Sequence, residues 1–191
     1  MSSKVIPKKT RPWTITEVIS SEHGGDVVAA EKMKIQRGNI VVTDPCYNYD
    51  VWCRMNDVSL VPDDYICVAR FSDEGEWGIR VAKIGLYRSD AVREEMEKNI
   101  HTFVIGSIGV DAGLAGIFEK KVNFTDEQWH DFCNDIRIGD AWMIDGELVK
   151  GFFSSSGYGD GGYDVVVHKD PCVNPFDGIE IIFIDNEEED E

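Results

Sequence analysis

The sequence has no apolar run long enough to cross a membrane. A helix that spans a bilayer needs roughly 20 consecutive apolar residues, and no segment of the 191-residue chain approaches that length. Its first residues also lack the apolar stretch of a secretory signal peptide. We therefore expect a soluble protein that resides in the cytoplasm and does not associate with membranes.

Cysteines are few, odd in number and irregularly spaced. The chain has five and no Cys-x-x-Cys pair, at Cys46, Cys53, Cys67, Cys133 and Cys172. This spacing disfavours both a zinc knuckle and a disulfide framework. We predict reduced thiols, most of them small core residues. Cys46 stands among polar residues and is the candidate for a reactive thiol.

Basic residues are scarce relative to acidic ones. The chain has 19 Lys and Arg against 36 Asp and Glu, which gives a formal net charge of -17. An acidic surface repels phosphate backbones and anionic lipids, so we expect no direct binding of nucleic acid. The charge favours a protein partner with a basic surface, or a divalent cation, although solubility alone also accounts for it.

Charge is distributed unevenly between the two ends of the chain. Residues 1–12 contain four basic residues, two prolines and no acid, whereas residues 185–191 are almost entirely acidic. We predict a flexible basic arm over residues 1–12 and a disordered acidic tail over residues 185–191. The length between them fits a single globular domain over residues 13–184.

Most of this domain has the pattern of short β-strands. The β-branched run from Asn39 to Thr43 predicts a strand that stops before Pro45, because proline disfavours helix in the residue before it. The runs Tyr65 to Phe71 and Trp77 to Leu86 predict a hairpin, with Gly75 at a positive φ angle in its turn. The Asp-Gly pair at residues 145–146 predicts a second hairpin.

Helical patterns are fewer. Thr125 and Gln128 form a capping box before an apolar helical face, which predicts a helix. The segment Ser89 to Asn99 predicts a surface helix, and Thr14 to Ser21 a short helix. In total the patterns give about eight or nine strands and two or three helices. Strands do not alternate regularly with helices, which disfavours a parallel sheet. We predict an α+β fold, mainly antiparallel β, in which a sandwich or curled sheet has the helices packed on one side.

Three segments place an aspartate at a strand end or in the loop beside it, together with glycine, proline, hydroxyl or aromatic neighbours. They are the segments of residues 44–47, 110–113 and 156–163. If their loops meet at one sheet edge, the carboxylates of Asp44, Asp111 and Asp160 could bind Mg²⁺, Ca²⁺ or Mn²⁺, or serve as an acid–base pair. Each aspartate also fits an ordinary turn, so a purely structural role stays open.

The third segment is the most unusual, because residues 157–162 contain four glycines, which lose much entropy on ordering. Such a loop persists more easily where its backbone approaches another group closely. The four histidines lack the spacing of a metal site, so no ligand role is predicted for them. The predicted binding residues are Asp44, Tyr47, Asp111, Gly157, Tyr158, Gly159, Asp160 and Gly161.

In these three segments the sequence resembles a bacterial and phage family, domain-of-unknown-function family 4241. The resemblance rests on Asp44-Pro45-Cys46-Tyr47, on Val110-Asp111-Ala112-Gly113 with Gly116-Ile117-Phe118 behind it, and most specifically on the glycine-rich segment of residues 156–163. It spans about residues 39–184 and implies a domain boundary and a binding site, but no reaction. A phage origin would place the protein in the host cytoplasm. There it would be expected to inhibit a host or defence protein by imitating the charge of nucleic acid.

Two functions therefore compete. The first is an acidic binding protein that acts on a protein partner through its charged surface or its glycine-rich loop. The second is a metal-dependent enzyme that uses Asp44, Asp111 and Asp160. No nucleophile or histidine base is recognisable beside these aspartates, and we favour the binding protein.

Overall fold

The computed structural model describes residues 11–20, 24–29, 32–136, 140–169 and 175–185. Within these ranges the chain forms thirteen β-strands and two α-helices. The strands are β1 Trp13–Ile19, β2 Gly25–Val28, β3 Met33–Ile35, β4 Asn39–Thr43, β5 Arg54–Ser59, β6 Asp63–Asp73, β7 Ile79–Tyr87, β8 Thr102–Val110, β9 Leu114–Lys121, β10 Ala141–Gly146, β11 Val149–Ser155, β12 Gly161–His168 and β13 Gly178–Ile182. The helices are α1 Asp90–Glu97 and α2 Asp126–Asp135.

The strands form two antiparallel sheets. In the first sheet the strand order is β1-β10-β11-β9-β4-β5, and in the second it is β2-β6-β7-β13-β12-β8, with β3 paired to β6 beside this path. This architecture confirms the predicted α+β class with mainly antiparallel strands. The predicted strand over residues 39–43 is β4, and the predicted hairpin is β6 and β7, with Gly75 at φ 62° in the connecting 3-10 turn.

Alternation along the strands builds the core between the sheets. Ile117 and Phe152 of the first sheet point inward and join one buried cluster with side chains of the second sheet. Their neighbours Phe118 and Phe153 point outward and join a different cluster, which includes Phe132 of α2. Since successive side chains of a strand face opposite sides, each sheet has a core face and an outer apolar face.

The two helices cover these outer faces, one on each sheet. Met96 of α1 packs with Val68, Tyr87 and Val166 of the second sheet, whereas α2 covers the first sheet. The prediction that the helices lie on one side was therefore wrong, because both sheets have an apolar outer face. The capping box of Thr125 and Gln128 is confirmed at the start of α2.

Residues 14–19 of the predicted helix belong instead to the strand β1, which pairs with β10, and Ser21 lies outside the described residues. Five of the seven residues of β1 are β-branched, and pairing to a neighbouring strand overrides a weak helical pattern. Strands β2, β3 and β5 were not predicted. β2 and β5 lie at sheet edges, where one side faces no strand and polar residues such as those of Arg54–Ser59 are suitable. β3 has only three residues and pairs with β6 beside the main path of the second sheet.

The chain passes between the two sheets at neighbouring places. β8 continues into β9 through residues 111–113, and β11 continues into β12 through residues 156–160. The backbone N–H of Ser156 donates to the carbonyl of Gly113 at 3.1 Å, so the two connections touch. β4 also ends here, because Thr43 pairs with Gly116 near the start of β9. We call this region the crossing end of the sandwich.

Most of the predicted arm and tail lies outside the described residues. Arg11 forms an ion pair with Asp135 of α2, and the carbonyl of Pro12 accepts a hydrogen bond from the backbone N–H of Glu147 at 3.0 Å. These two residues of the arm therefore contact the domain. None of the described helices combines the length and apolar character needed to span a membrane.

Candidate functional site

Asp44 ties the end of β4 to the connection between β8 and β9. It is fully buried, and its Oδ2 accepts hydrogen bonds from the backbone N–H groups of Asp111 at 3.0 Å and Ala112 at 2.8 Å. Its Oδ1 accepts from the N–H of Cys46 at 3.0 Å. Burial raises the pKa of Asp44 and outweighs the opposing effect of these three bonds. The carboxylate thus supports the backbone and is closed to solvent.

Tyr47 and Asp111 meet at the surface above this buried carboxylate. The Tyr47 hydroxyl donates to Oδ2 of Asp111 at 2.6 Å, and this bond raises the pKa of Tyr47, since it stabilises the protonated phenol. Three of the predicted site residues, Asp44, Tyr47 and Asp111, are therefore brought together as the loop positions implied.

A cleft of about 580 Å³ opens beside Tyr47 and Asp111. We call it the aromatic cleft; its lining residues are Cys46, Tyr47, Asn48, Tyr49, Val51, Asp111, Ala112, Asp126 and Trp129. Three aromatic rings and two carboxylates share this surface. Tyr49 is 58% exposed, and Trp129 is also exposed.

Three hydrogen bonds hold the cleft in shape. They fix the loop after β4 to α2 and to the segment that precedes α2. Asn48 donates its Nδ2 to the carbonyl of Phe124 at 2.9 Å and accepts from the N–H of the same residue at 2.7 Å. Trp129 donates its Nε1 to the carbonyl of Cys46 at 2.8 Å. The walls of the cleft are therefore preformed by hydrogen bonds between side chains and backbone, two of them buried.

Two thiols, one of them in the lining of the cleft, lie close to a buried lysine. Cys46 and Cys133 are hydrogen-bonded to each other, and burial raises the pKa of Cys46 to about 12. Such a thiol stays protonated at neutral pH, which contradicts the interpretation of Cys46 as reactive. The thiols of Cys46, Cys53, Cys67 and Cys133 are free, as predicted, whereas Cys172 lies outside the described residues.

The buried lysine is Lys121, whose ammonium lies 4.3 Å from the ring centroid of Phe124 and 5.1 Å from that of Phe132. It has no hydrogen-bond partner within the described ranges. Burial, with a smaller contribution from the charge of Arg54, lowers its pKa from 10.5 to about 8. A cation held by aromatic faces alone is costly to bury.

The glycine-rich loop adjoins the cleft without lining it. Gly157 has φ 53° and Gly159 has φ 108°, which are conformations that glycine adopts at little cost. A β-carbon on Gly157 would approach Phe183 to 3.0 Å, so the backbone here packs closely against its own domain. Tyr158 turns away and contacts Glu74 and Trp77.

The three predicted metal ligands do not assemble into a cation site. Although their loops share the crossing end, the side-chain oxygens of Asp44, Asp111 and Asp160 do not all lie within 4.8 Å of one another. The physical reason is that Asp44 points into the protein and is engaged by backbone N–H groups, whereas Asp160 is exposed. Gly161 lies in the first position of β12, paired with Val110.

One group in the described part of the chain does bring three potential ligands within 4.8 Å, and the sequence did not reveal it. It consists of Glu95, His101 and His168. Glu95 and His101 are 6 positions apart, and Glu95 and His168 are 73 apart. No regular spacing marks such a set, because the pairing of β8 with β12 brings it together.

Comparison with models of known protein families, with curated proteins and with solved structures gives no match to this chain. The resemblance to domain-of-unknown-function family 4241 accordingly stays a prediction from the three segments. At the crossing end, the aromatic cleft is a concave surface formed beside Tyr47 and Asp111.

Proposed function

We propose that this chain is a binding protein whose aromatic cleft receives a lysine or arginine side chain from the basic surface of a protein partner. The observation that carries the proposal is the composition of the cleft. Tyr47, Tyr49 and Trp129 supply aromatic faces, and Asp111 and Asp126 supply negative charge. Among the described residues that line it, none is basic.

This combination suits a cationic side chain for two physical reasons. A guanidinium or ammonium over a tyrosine or tryptophan face gains about 0.5–1 kcal/mol at exposed sites and more when water is excluded. A carboxylate beside the ring adds a charge-assisted hydrogen bond, and arginine can make two such bonds to one carboxylate. Neither contribution is available to an anionic or purely aliphatic group.

The charge of the whole chain supports the same class of partner. With a net charge of -17, the protein attracts a basic surface over a distance of about 10 Å at ordinary ionic strength and repels an acidic one. Occupation of a partner's basic surface would also compete with nucleic acid for it. The proposal thus includes the inhibitory role expected for a protein of phage origin.

Binding of a fluorescein-labelled oligo-arginine peptide, followed by fluorescence anisotropy, tests the proposal. We expect the Tyr49→Ala and Asp111→Asn variants each to weaken binding about five- to tenfold, which corresponds to about 1 kcal/mol per contact. Binding should also weaken as salt rises, since the attraction is partly between exposed charges.

Two matched variants separate the cleft from diffuse attraction. Tyr158→Ala removes a tyrosine of similar exposure, 55%, from the glycine-rich loop, and Asp164→Asn removes one exposed charge from β12. Both should bind the peptide within about twofold of the wild type, because rim charges away from the contact contribute little. Equal weakening in all four variants would contradict the proposal, and selective loss in Tyr158→Ala would transfer the site to the loop.

A further inference from the structure

A cluster of two histidines and one glutamate lies at the opposite end of β8 from the aromatic cleft. Nε2 of the His168 ring is 2.8 Å from Oε2 of Glu95, and Nδ1 of His101 is 3.2 Å from the same oxygen. The two rings are nearly perpendicular, with centroids 6.1 Å apart. Three separate elements supply the side chains: α1, the connection from α1 to β8, and the end of β12.

We propose that Glu95, His101 and His168 form a binding site for a divalent transition-metal ion, with Zn²⁺ the expected ion. Two imidazoles and one carboxylate are a common ligand set for zinc when one coordination position stays open to water. The mixture of nitrogen and oxygen donors disfavours Mg²⁺ and Ca²⁺, which prefer oxygen ligands alone. This inference is independent of the proposed binding function of the cleft.

The distances suit the small radius of such an ion. Bonds of about 2.0–2.2 Å in tetrahedral geometry place neighbouring donor atoms about 3.3–3.5 Å apart. The observed separations from Glu95 are shorter, by about half an ångström or slightly more for His168 at 2.8 Å and by a few tenths for His101 at 3.2 Å. A metal ion can therefore replace the shared hydrogen bonds at Oε2 with a small outward movement of each ring.

The backbone at the cluster is strained. Four non-glycine residues in the described ranges have positive φ, and three of them lie in the cluster or within two residues of it: His101 at 55°, Asn99 at 53° and Lys169 at 84°. Left-handed backbone costs of order 1 kcal/mol or more at such residues and tends to concentrate at ligand sites. The N–H of Lys169 donates to the carbonyl of His101 at 2.8 Å, which joins two of the strained positions directly.

His168 is committed to the cluster. Its side chain is 8% exposed, and within the described residues its Nδ1 has no hydrogen-bond partner, so its polar contact is the one that Nε2 makes to Glu95. The nearest cation in sequence, Lys169, is paired with Asp177 and does not compete for Glu95. The ring nitrogen that would bind the metal therefore contacts a potential co-ligand and has no competing partner among the described residues.

The position of the site indicates what a bound ion does. β8 is nine residues long, so at about 3.4 Å per residue the cluster lies roughly 27 Å from the crossing end. An ion there would tie α1 and the following loop to the end of the second sheet. Metal bound only by the folded state stabilises that state in proportion to the logarithm of its concentration.

The test is a titration of the full chain with ZnCl₂, after treatment with a chelator and in the presence of a non-thiol reductant, by calorimetry and by thermal unfolding. We expect one ion per chain and a Zn²⁺-dependent rise in the melting temperature, with no response to MgCl₂. Glu95→Gln and His101→Ala should each weaken the affinity more than about 100-fold, since even loss of a group that only orients a ligand costs 10- to 100-fold.

His130→Ala is the matched control, because His130 is exposed on α2 and outside the cluster. The affinity of the His130→Ala variant for Zn²⁺ should stay within about twofold of the wild-type affinity, as expected for a substitution distant from the site. His101 is itself mostly exposed, so its replacement should not prevent folding. Failure of the wild type to bind Zn²⁺ would overturn the proposal, and so would binding that survives both cluster substitutions, which would place the ion on the thiols.

Discussion

Replacement of Asp44 by Asn should destabilise the protein by about 2–3 kcal/mol, because buried donors that lose an acceptor cost about 1–3 kcal/mol each. The Asp44 carboxylate presents two acceptor oxygens to three backbone N–H groups. An asparagine has one oxygen, so its amide N–H₂ must face at least one of these donors. Urea unfolding measures the loss, and the melting temperature should fall by roughly 4–12 °C.

Asp160→Asn serves as the control for the same chemical change. Asp160 is exposed, and substitution at such a position usually stays within about 0.5 kcal/mol. Near-equal effects of the two substitutions would contradict the assignment of Asp44 as a backbone support. If Mg²⁺, Ca²⁺ or Mn²⁺ stabilised the wild type but neither variant, the aspartates would form a cation site after all.

Replacement of Lys121 by Met should stabilise the protein by about 2–3 kcal/mol at pH 7. Burial lowers the pKa of Lys121 from 10.5 to about 8, and each pKa unit corresponds to about 1.4 kcal/mol of unfavourable free energy in the charged form. Loss of the contact with the rings of Phe124 and Phe132 offsets about 1 kcal/mol of the gain. Methionine keeps a similar length and needs no hydrogen bond.

The advantage of Lys121→Met should depend on pH in a definite direction. Between pH 8 and 10.5 the unfolded chain holds the Lys121 proton while the folded chain releases it, so wild-type stability rises with pH in that window. The difference between variant and wild type should therefore be about 1 kcal/mol smaller at pH 9 than at pH 7. Urea unfolding at the two pH values measures this difference.

Lys120→Met is the matched control, because Lys120 is the exposed neighbour of Lys121. Removal of a charge there should change the free energy of unfolding by less than about 0.5 kcal/mol, independently of pH. A destabilised Lys121→Met variant, or an advantage that grows as the pH rises, would show that the ammonium is satisfied in the folded state.

Much of the secondary structure follows from local sequence. The β-branched run of residues 39–43 is a strand with the predicted ends, and the Thr125 and Gln128 side chains begin α2 as their spacing indicates. In both cases the signal is contained in a few neighbouring residues: branched side chains suit a pleated strand, and a hydroxyl satisfies the free N–H groups of a helix. The edge strands carry no such signal, since they are defined by a neighbour on one side.

The candidate sites divide in the same way. Sequence placed Asp44, Tyr47 and Asp111 at strand ends, and they meet because β4 and β8 end at the same side of the sandwich. The sequence did not indicate the direction in which each of these side chains points, because that direction depends on burial and on nearby backbone N–H donors. Asp44 consequently supports a turn and does not share a cation with Asp160.

The sequence by itself determined the acidic charge, the antiparallel β-rich class and the strand ends that carry the aspartates. These properties arise from composition and from the period of two along a strand. Only the tertiary structure decided that a helix covers each sheet, that Trp129 closes the aromatic cleft, and that His101 and His168 meet at Glu95. Such contacts join residues far apart in the chain, and the register between strands, which local sequence specifies weakly, brings them together.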